Sequence, residues 1–132
     1  MKILGIGVDI VETARIEAAI ARQGERFLAR VFTEAERHYC ASIDRPARCY
    51  GARFAAKEAV SKALGTGIGP QINWNDIEVR RKASGEPFVA LRGDGAALAK
   101  RRGVIEWFLS LSHSEHYAVA QVIAVGSSGS TD

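Results

Sequence analysis

The 132-residue sequence has little cysteine, no long apolar run and no internal repeat. Its two cysteines, Cys40 and Cys49, could in principle form a disulfide. They match no common zinc-binding spacing, and no export signal accompanies them, so we expect two reduced structural thiols. The longest apolar stretch, residues 3–11, is too short to span a bilayer and lacks a signal-peptide cleavage pattern. These absences argue against a zinc-bound domain and a membrane protein, and we expect a cytoplasmic protein.

The composition is that of an ordinary globular domain. Hydrophobic residues make up 47% of the chain and charged residues 25%, and the length suits one compact core rather than two. The net charge of +3 favours acidic partners, which include nucleic acids, phosphorylated ligands and acidic proteins, without choosing among them. We expect one domain over residues 1–125 and a disordered polar tail over residues 126–132.

The pattern of apolar and helix-forming residues predicts an α+β fold, in which a mostly antiparallel sheet packs against a long central helix. Buried and alternating apolar residues predict strands over residues 3–11, 76–81, 87–91, 104–112 and 117–125. Helical periodicity and capping residues predict helices over residues 13–23, 25–31, 33–42, 47–64 and 95–102. Gly24 is the predicted cap that ends the first helix, and Thr33 with Glu36 is a predicted capping box.

Glu58 and Lys62 lie four residues apart on the longest predicted helix, hence on one face. In isolation this is the pattern of a surface ion pair, which supports a helix by about 0.2–0.5 kcal/mol. The loop that follows, GTGIGP, contains Gly65 and Gly67, which either cap the helix or let backbone N–H groups converge on an anion. Because a helix C-terminus carries partial negative charge, a phosphate there would require Lys62 as a countercharge.

Asp9 is an acidic residue within an apolar strand. A buried carboxylate is costly unless it is paired or binds a metal, although the strand could instead end at Asp9 and leave it solvated. If Asp9 and Glu58 approach each other, the two carboxylates need a cation between them, and Mg²⁺ suits hard oxygen ligands completed by water and phosphate. Such an arrangement is typical of chemistry at phosphorus.

His113 lies in the segment SLSHSEHYAVAQVI, where one predicted strand turns towards the next. It is a candidate phosphate contact or proton-transfer residue, or a turn histidine held by neighbouring serines. His113 and His116 have the spacing of a minimal metal pair, but no third ligand accompanies them, so zinc is not favoured.

These segments, in this order, resemble the holo-[acyl-carrier-protein] synthases, the small bacterial class of phosphopantetheinyl transferases. Residues 5–16 (GIGVDIVETARI) resemble the opening motif, and residues 53–69 (RFAAKEAVSKALGTGIG) resemble the central signature. Residues 75–91 resemble the family's hairpin, and residues 110–123 its closing motif. The resemblance implies the family's fold. It also implies transfer of the 4'-phosphopantetheine arm of coenzyme A to a serine of an acyl carrier protein, for fatty acid synthesis, with release of adenosine 3',5'-bisphosphate.

The resemblance also implies roles for individual residues. Asp9 and Glu58 correspond to ligands of a Mg²⁺ ion that bridges to the pyrophosphate of coenzyme A, and Lys62 corresponds to a residue near that pyrophosphate. All three are therefore candidate catalytic residues. Glu58 is our first candidate for the base that accepts the serine proton, with Asp9 or a metal-bound water as alternatives. The residues implied in coenzyme A binding are Arg53, Lys62, Gly65, Gly67 and His113.

A basic stripe precedes the predicted catalytic residues. Arg15, Arg22 and Arg26 lie within about 40° of one another on a helical wheel, provided that the helix continues through Gly24. The stripe is either a solvated basic face or, as the resemblance implies, a docking surface for an acidic carrier protein with Phe27 as an apolar anchor. Charge matching of this kind mainly increases the encounter rate and weakens with salt.

Small members of the family are homotrimers with active sites between neighbouring subunits, so one chain is expected to provide part of each site. Trp107 and Phe108, two bulky residues before the closing motif, are expected at a subunit interface.

Two alternatives come from other functional classes. Basic clusters at residues 80–82 and 100–102, with Tyr50, Phe54 and Trp74 available for base stacking, are compatible with a small nucleic-acid-binding domain. No helix-turn-helix, zinc knuckle or single-strand-binding motif accompanies them. A protein that binds coenzyme A or the carrier without transfer is the second alternative. We favour the transferase, and we expect neither a nucleic-acid nor a membrane partner.

Overall fold

The computed structural model describes residues 1–127, and its elements follow the predicted order closely. The strands are β1 (Lys2–Glu12), β2 (Ile77–Arg81), β3 (Pro87–Leu91), β4 (Glu106–His113) and β5 (Tyr117–Gly126). The helices are α1 (Thr13–Gln23), α2 (Glu25–Val31), α3 (Glu34–Ala41), α4 (Pro46–Ala63) and α5 (Gly93–Arg101), with a 3₁₀ turn at Trp74–Asp76. Within residues 1–127, no helix is both long and apolar enough to cross a bilayer. Of the predicted tail, residues 128–132 lie outside the described residues.

The strands form two antiparallel sheets rather than one. The larger has the order β1–β5–β4, and the smaller is the β2–β3 hairpin. The α+β class and the antiparallel pairing are confirmed, whereas the division into two sheets was not predicted. The central strand β5 contributes Ala118, Ala120 and Val122 to the core, all fully buried.

Two glycines let β1 lie directly on the backbone of α4. A Cβ atom on Gly7 would stand 1.8 Å from the carbonyl oxygen of Ala59, and one on Gly5 would stand 2.1 Å from that of Ala63. No side chain fits in that space, so glycine is required at both positions. The close approach brings Asp9, two residues beyond Gly7, to the side of α4.

Local caps set the helix boundaries. Thr33 Oγ1 accepts a hydrogen bond from Glu36 N at 3.2 Å, and Glu36 Oε1 accepts one from Thr33 N at 2.9 Å, which confirms the predicted capping box. Gly24, with φ of +55°, ends α1 as predicted. Because α2 is a separate helix, the condition for a continuous stripe from Arg15 to Arg26 is not met.

Cys40 and Cys49 form a disulfide, so the expectation of two reduced thiols is wrong. Cys40 lies in the last turn of α3 and Cys49 in the first turn of α4, and the hairpin between these helices brings their Cα atoms to 5.4 Å. The sequence spacing carried no information about this proximity, which depends on how the two helices pack.

A buried ion pair joins α3 to α4. Lys57 is fully buried, and its Nζ lies 2.7 Å from Glu36 Oε1. The same ammonium group donates to the carbonyl oxygens of Val31 at 2.7 Å and Trp74 at 3.2 Å. Burial lowers the pKa of Lys57, and the neighbouring charge of Glu36 opposes that shift.

Candidate active site

Asp9, Glu58 and Lys62 lie together along one wall of a cavity of about 770 Å³. Lys62 Nζ donates to Asp9 Oδ1 at 2.8 Å and to the Val8 carbonyl at 3.1 Å. Lys62 is therefore paired across to β1, rather than along its own helix to Glu58 as a simple surface pair would be. Asp9 is likewise not at a solvated strand end, because β1 continues to Glu12 and the Asp9 side chain is only 17% exposed.

The electrostatics of Glu58 reflect this clustering. Burial raises the pKa of Glu58, and the negative charge of Asp9 raises it further, while Lys62 opposes both effects. The two carboxylates thus repel each other in a partly desolvated cavity, and a cation between them would relieve that repulsion.

These residues fit a magnesium site that is completed by a ligand. Within residues 1–127, no group of three or more His, Cys, Asp or Glu side chains is arranged to hold a metal ion. Asp9 and Glu58 supply two hard oxygen donors, which is the usual protein contribution to a Mg²⁺ that keeps waters and binds substrate phosphates.

The same cavity also has basic and apolar lining residues. Arg15 and Arg22 of α1 line it, whereas the exposed Arg26 of α2 does not. Phe27 also lines the cavity, but the residue is only 5% exposed and its ring packs edge-on against Phe32 at 6.0 Å. Phe27 is thus part of the cavity floor rather than an anchor that could insert into a partner.

Phe54 and Tyr117 also line this cavity. Phe54 lies one helical turn before Glu58, where helical spacing predicts it, whereas sequence reasoning missed Tyr117. Tyr117 reaches the cavity because β5 pairs with β1 and sets Tyr117 opposite Glu12. No local sequence signal reports that pairing.

The glycine loop does not present its N–H groups to an anion. Gly65 N donates to Lys62 O at 3.0 Å, while Thr66 N and Gly67 N both donate to Ser61 O, at 3.1 and 3.2 Å. With φ of +80° at Gly65 and +68° at Gly67, the loop folds back and caps α4. The helix-cap interpretation is correct for these N–H groups, and neither glycine lines the cavity beside Asp9.

Arg53 and His113 line a second cavity, of about 620 Å³. Arg53 is buried, donates to Cys49 Sγ at 3.2 Å, and lies over the Tyr39 ring at 4.7 Å. Burial lowers the pKa of the Arg53 guanidinium. Three further arginines that sequence reasoning missed line this cavity: Arg45, Arg48 and Arg81. The residues implied in coenzyme A binding are therefore divided, within one chain, between two cavities and a loop.

The aromatic residues considered for base stacking are engaged within the protein. Tyr50 is 5% exposed, and the rings of Phe54 and Trp74 pack on each other at 4.9 Å. In the cluster at residues 80–82, Arg80 pairs with Glu78 at 2.6 Å. The structure therefore gives the nucleic-acid-binding alternative no stacking platform of the kind considered.

Comparison with known proteins shows close relatives over nearly the whole chain. The family model of the 4'-phosphopantetheinyl transferase superfamily matches residues 5–122. A holo-[acyl-carrier-protein] synthase of Desulforudis audaxviator is 52% identical, with 97% of each chain covered. One from Koribacter versatilis is 48% identical over 92% of this chain and 97% of that one.

Solved structures agree with this assignment. A holo-(acyl-carrier-protein) synthase from Bacillus anthracis in complex with CoA (3',5'-ADP) superposes with a TM-score of 0.80 at 40% identity, covering 96% of this chain and 100% of that chain. A Helicobacter pylori holo-[acyl-carrier-protein] synthase in complex with coenzyme A gives a TM-score of 0.82 at 31% identity. The match covers 91% of this chain and 99% of that chain. With these matches, the chain belongs to the 4'-phosphopantetheinyl transferase superfamily and, within it, to the holo-[acyl-carrier-protein] synthases.

Proposed function

We propose that this chain is a magnesium-dependent holo-[acyl-carrier-protein] synthase. It transfers the 4'-phosphopantetheine arm of coenzyme A to a serine hydroxyl of an acyl carrier protein and releases adenosine 3',5'-bisphosphate. One observation carries the proposal: Asp9, Glu58, Lys62, Arg15 and Arg22 all line a single cavity. Groups suited to phosphate chemistry thus share one cavity with groups suited to an acidic protein.

In the proposed mechanism Asp9 and Glu58 would hold Mg²⁺, and the bound ion would supply positive charge to the phosphate groups of the donor. Lys62, fixed by Asp9 and the Val8 carbonyl, adds a second positive charge beside the bond that breaks. The carrier serine oxygen forms a bond to the β-phosphorus of coenzyme A, and the bond from that phosphorus to the leaving phosphate oxygen breaks. Glu58 is the proposed acceptor of the serine proton.

The division of predicted donor contacts between two cavities supports a site built by two subunits. We propose that the arginine-rich cavity with Arg53 and His113 holds the nucleotide phosphates of a coenzyme A whose pyrophosphate lies at Lys62 of a neighbouring subunit. Guanidinium groups suit phosphate oxygens because they donate bidentate hydrogen bonds. The proposed assembly is a homotrimer.

An exposed apolar face supports that assembly. Ile6, Val8 and Ile10 alternate along β1 and are 58, 55 and 63% exposed, and Phe108 of β4 is 46% exposed. An apolar sheet face of this kind marks a protein interface. Trp107, in contrast, packs against the core of its own chain, so only Phe108 of the predicted interface pair fits this proposal. Light scattering on the purified chain, with Val8→Lys as the variant, measures whether this face assembles the trimer.

Mass spectrometry of an apo acyl carrier protein tests the activity directly. Incubation with the enzyme, coenzyme A and Mg²⁺ should add one phosphopantetheine group to the carrier, and chelation of the metal should prevent the addition. Glu58→Gln should reduce the rate by about 10²-fold or more, since it removes both a metal ligand and the proposed base. Glu17→Gln, an exposed change on α1, is the matched control.

The alternatives give different results in the same experiment. A protein that only binds would show coenzyme A binding by calorimetry with no mass gain on the carrier. A nucleic-acid-binding domain would show no mass gain but tight, salt-sensitive binding to an oligonucleotide. We further propose that the modified carrier serves fatty acid synthesis in the cytoplasm; depletion of the protein should then leave the carrier in its apo form.

A further inference from the structure

We propose that Arg102 is a positioning residue for the donor, because it neutralises the C-terminal end of α4 beside the glycine loop. The inference rests on the proposed function, in which a pyrophosphate lies near Lys62 on that last turn. It concerns a residue of the basic cluster at 100–102 that the proposed site does not otherwise use.

The contact is a hydrogen bond between distant parts of the chain. Arg102 Nη1 donates to the carbonyl oxygen of Leu64, the residue that ends α4. Leu64 is 3% exposed, so water could satisfy that carbonyl only poorly. A Cβ atom on Gly65 would stand 3.8 Å from the same Arg102 nitrogen, which sets the guanidinium directly alongside the first glycine of the loop.

Three other carbonyl groups at this helix end have neutral backbone donors. Val60 O accepts from Leu64 N at 3.1 Å, Ser61 O accepts from two loop N–H groups, and Lys62 O accepts from Gly65 N. A neutral N–H group satisfies an acceptor but adds no net charge. Arg102 differs from these donors because it brings a full positive charge.

That charge matters because the end of α4 repels an anion. An α-helix C-terminus is equivalent to about half a negative charge, and its effect is confined to the last turn. Lys62, the other cation of this turn, is already paired with Asp9 and bonded to the Val8 carbonyl. Arg102 therefore offsets the helix end, so that this role does not fall to Lys62 alone.

The backbone holds Arg102 firmly in place. Its N–H group donates to Leu98 O at 3.0 Å, and the chain turns at Gly103, where φ is +79°. Leu98 and Ala99, which precede Arg102 on α5, are buried in the same apolar cluster as Leu64. Arg101 and Arg102 are both exposed at this helix end, and Arg102 is the one that donates to Leu64.

Steady-state kinetics on three variants test the proposal. Arg102→Gln removes the charge, Arg102→Lys keeps it, and Arg101→Gln removes an equal charge from the neighbouring position. We expect Arg102→Gln to raise the KM for coenzyme A about two- to fivefold, with kcat and the KM for the carrier unchanged. Arg102→Lys should restore most of the affinity, and Arg101→Gln should match the unmodified protein. The effect should shrink as salt is raised, which loss of a merely structural contact would not do.

Two results would overturn the role of Arg102: an unchanged KM in Arg102→Gln, or the same change in Arg101→Gln. A fall in kcat and in carrier affinity together, with a lower melting temperature, would show a merely structural role. Calorimetric affinity for coenzyme A separates this inference from the proposed function. If the unmodified protein binds coenzyme A but modifies no carrier, the proposed function fails and the Kd ratio of the variants still decides for or against Arg102. If it binds no coenzyme A, both fail.

Discussion

Lys57 and Lys62 are both ion-paired lysines of α4, yet we expect their replacement by methionine to have opposite consequences. Lys57 is fully buried against Glu36, whereas the Lys62 side chain is 49% exposed and pairs with Asp9 at the cavity. Methionine keeps most of the side-chain volume and removes only the charge and the donors. The pair of variants therefore separates a lysine that stabilises the fold from a lysine that serves the chemistry.

The expected loss in the free energy of unfolding for Lys57→Met follows from the groups that lose their partner. The carboxylate of Glu36 would stay buried without its countercharge, which costs about 3–5 kcal/mol. Two backbone N–H groups still donate to Glu36, at 2.9 and 2.8 Å, and they lower that cost. The carbonyls of Val31 and Trp74 lose their donor and raise it. We expect a loss of about 3–5 kcal/mol, a large part of the 5–15 kcal/mol typical of a domain.

Lys62→Met should behave differently. An ion pair whose lysine is half-exposed contributes about 0–1 kcal/mol, because water screens the ammonium charge. We therefore expect a free energy of unfolding near that of the unmodified protein, with transfer to the carrier sharply reduced because a charge beside the phosphate is gone.

Urea unfolding followed by circular dichroism gives the free energies, and mass gain on the carrier gives the activity. The double variant Lys57→Met with Glu36→Gln should recover at least about 1 kcal/mol of the loss, because it no longer leaves a buried charge unpaired. A loss below about 1 kcal/mol in Lys57→Met would refute the reasoning about the buried pair. Unchanged transfer in Lys62→Met would remove that lysine from the mechanism.

Three further predictions concern stability. Gly7→Ala should destabilise the protein by at least about 1–3 kcal/mol in urea unfolding, because its Cβ would stand 1.8 Å from a carbonyl oxygen. Gly51→Ala within α4 is the matched control. Its Cβ would make ordinary contacts from 3.6 Å, and it should stabilise the protein by up to about 1 kcal/mol. Burial alone would raise the pKa of Glu78, but hydrogen bonds from neighbouring side chains outweigh burial and lower that pKa. The ionised Glu78 therefore stabilises the fold above pH 4.5, and this stabilisation is lost as the pH falls through the lower pKa of the folded state. The melting temperature of the unmodified protein should therefore fall more steeply below pH 4.5 than that of Glu78→Gln, and parallel curves would contradict this. Reducing the Cys40–Cys49 disulfide, which closes a short loop, should cost about 2–3 kcal/mol, and a double serine variant insensitive to reductant is the control.

The secondary structure could be predicted from the sequence because its signals are local. The capping box from Thr33 to Glu36 acts within one turn, and Gly24 ends α1 through its own backbone conformation. Strand β3 and helices α1 and α2 were predicted with the bounds that the structure shows. The motif resemblance added the family, which the comparisons confirm.

The partners of the site residues could not be predicted in this way. Glu58 and Lys62 have the spacing of a helical surface pair, but Lys62 bonds Asp9, 53 positions earlier in the chain. The glycine loop has the composition of an anion-binding loop, yet the N–H groups of Gly65 and Gly67 bond carbonyls of α4. In both cases the sequence is compatible with two local arrangements. The packing of α4 against its neighbours determines which of them forms.

The sequence by itself determined which elements hold the candidate residues, because capping, periodicity and glycine conformation act over a few residues. Tertiary structure alone decided that Asp9 joins Glu58 and Lys62, that Cys40 bonds Cys49, and that Arg102 reaches the end of α4. These contacts join segments far apart in the chain. Their distances depend on how β1, α3 and α5 pack around the central helix, and that packing is a property of the whole core.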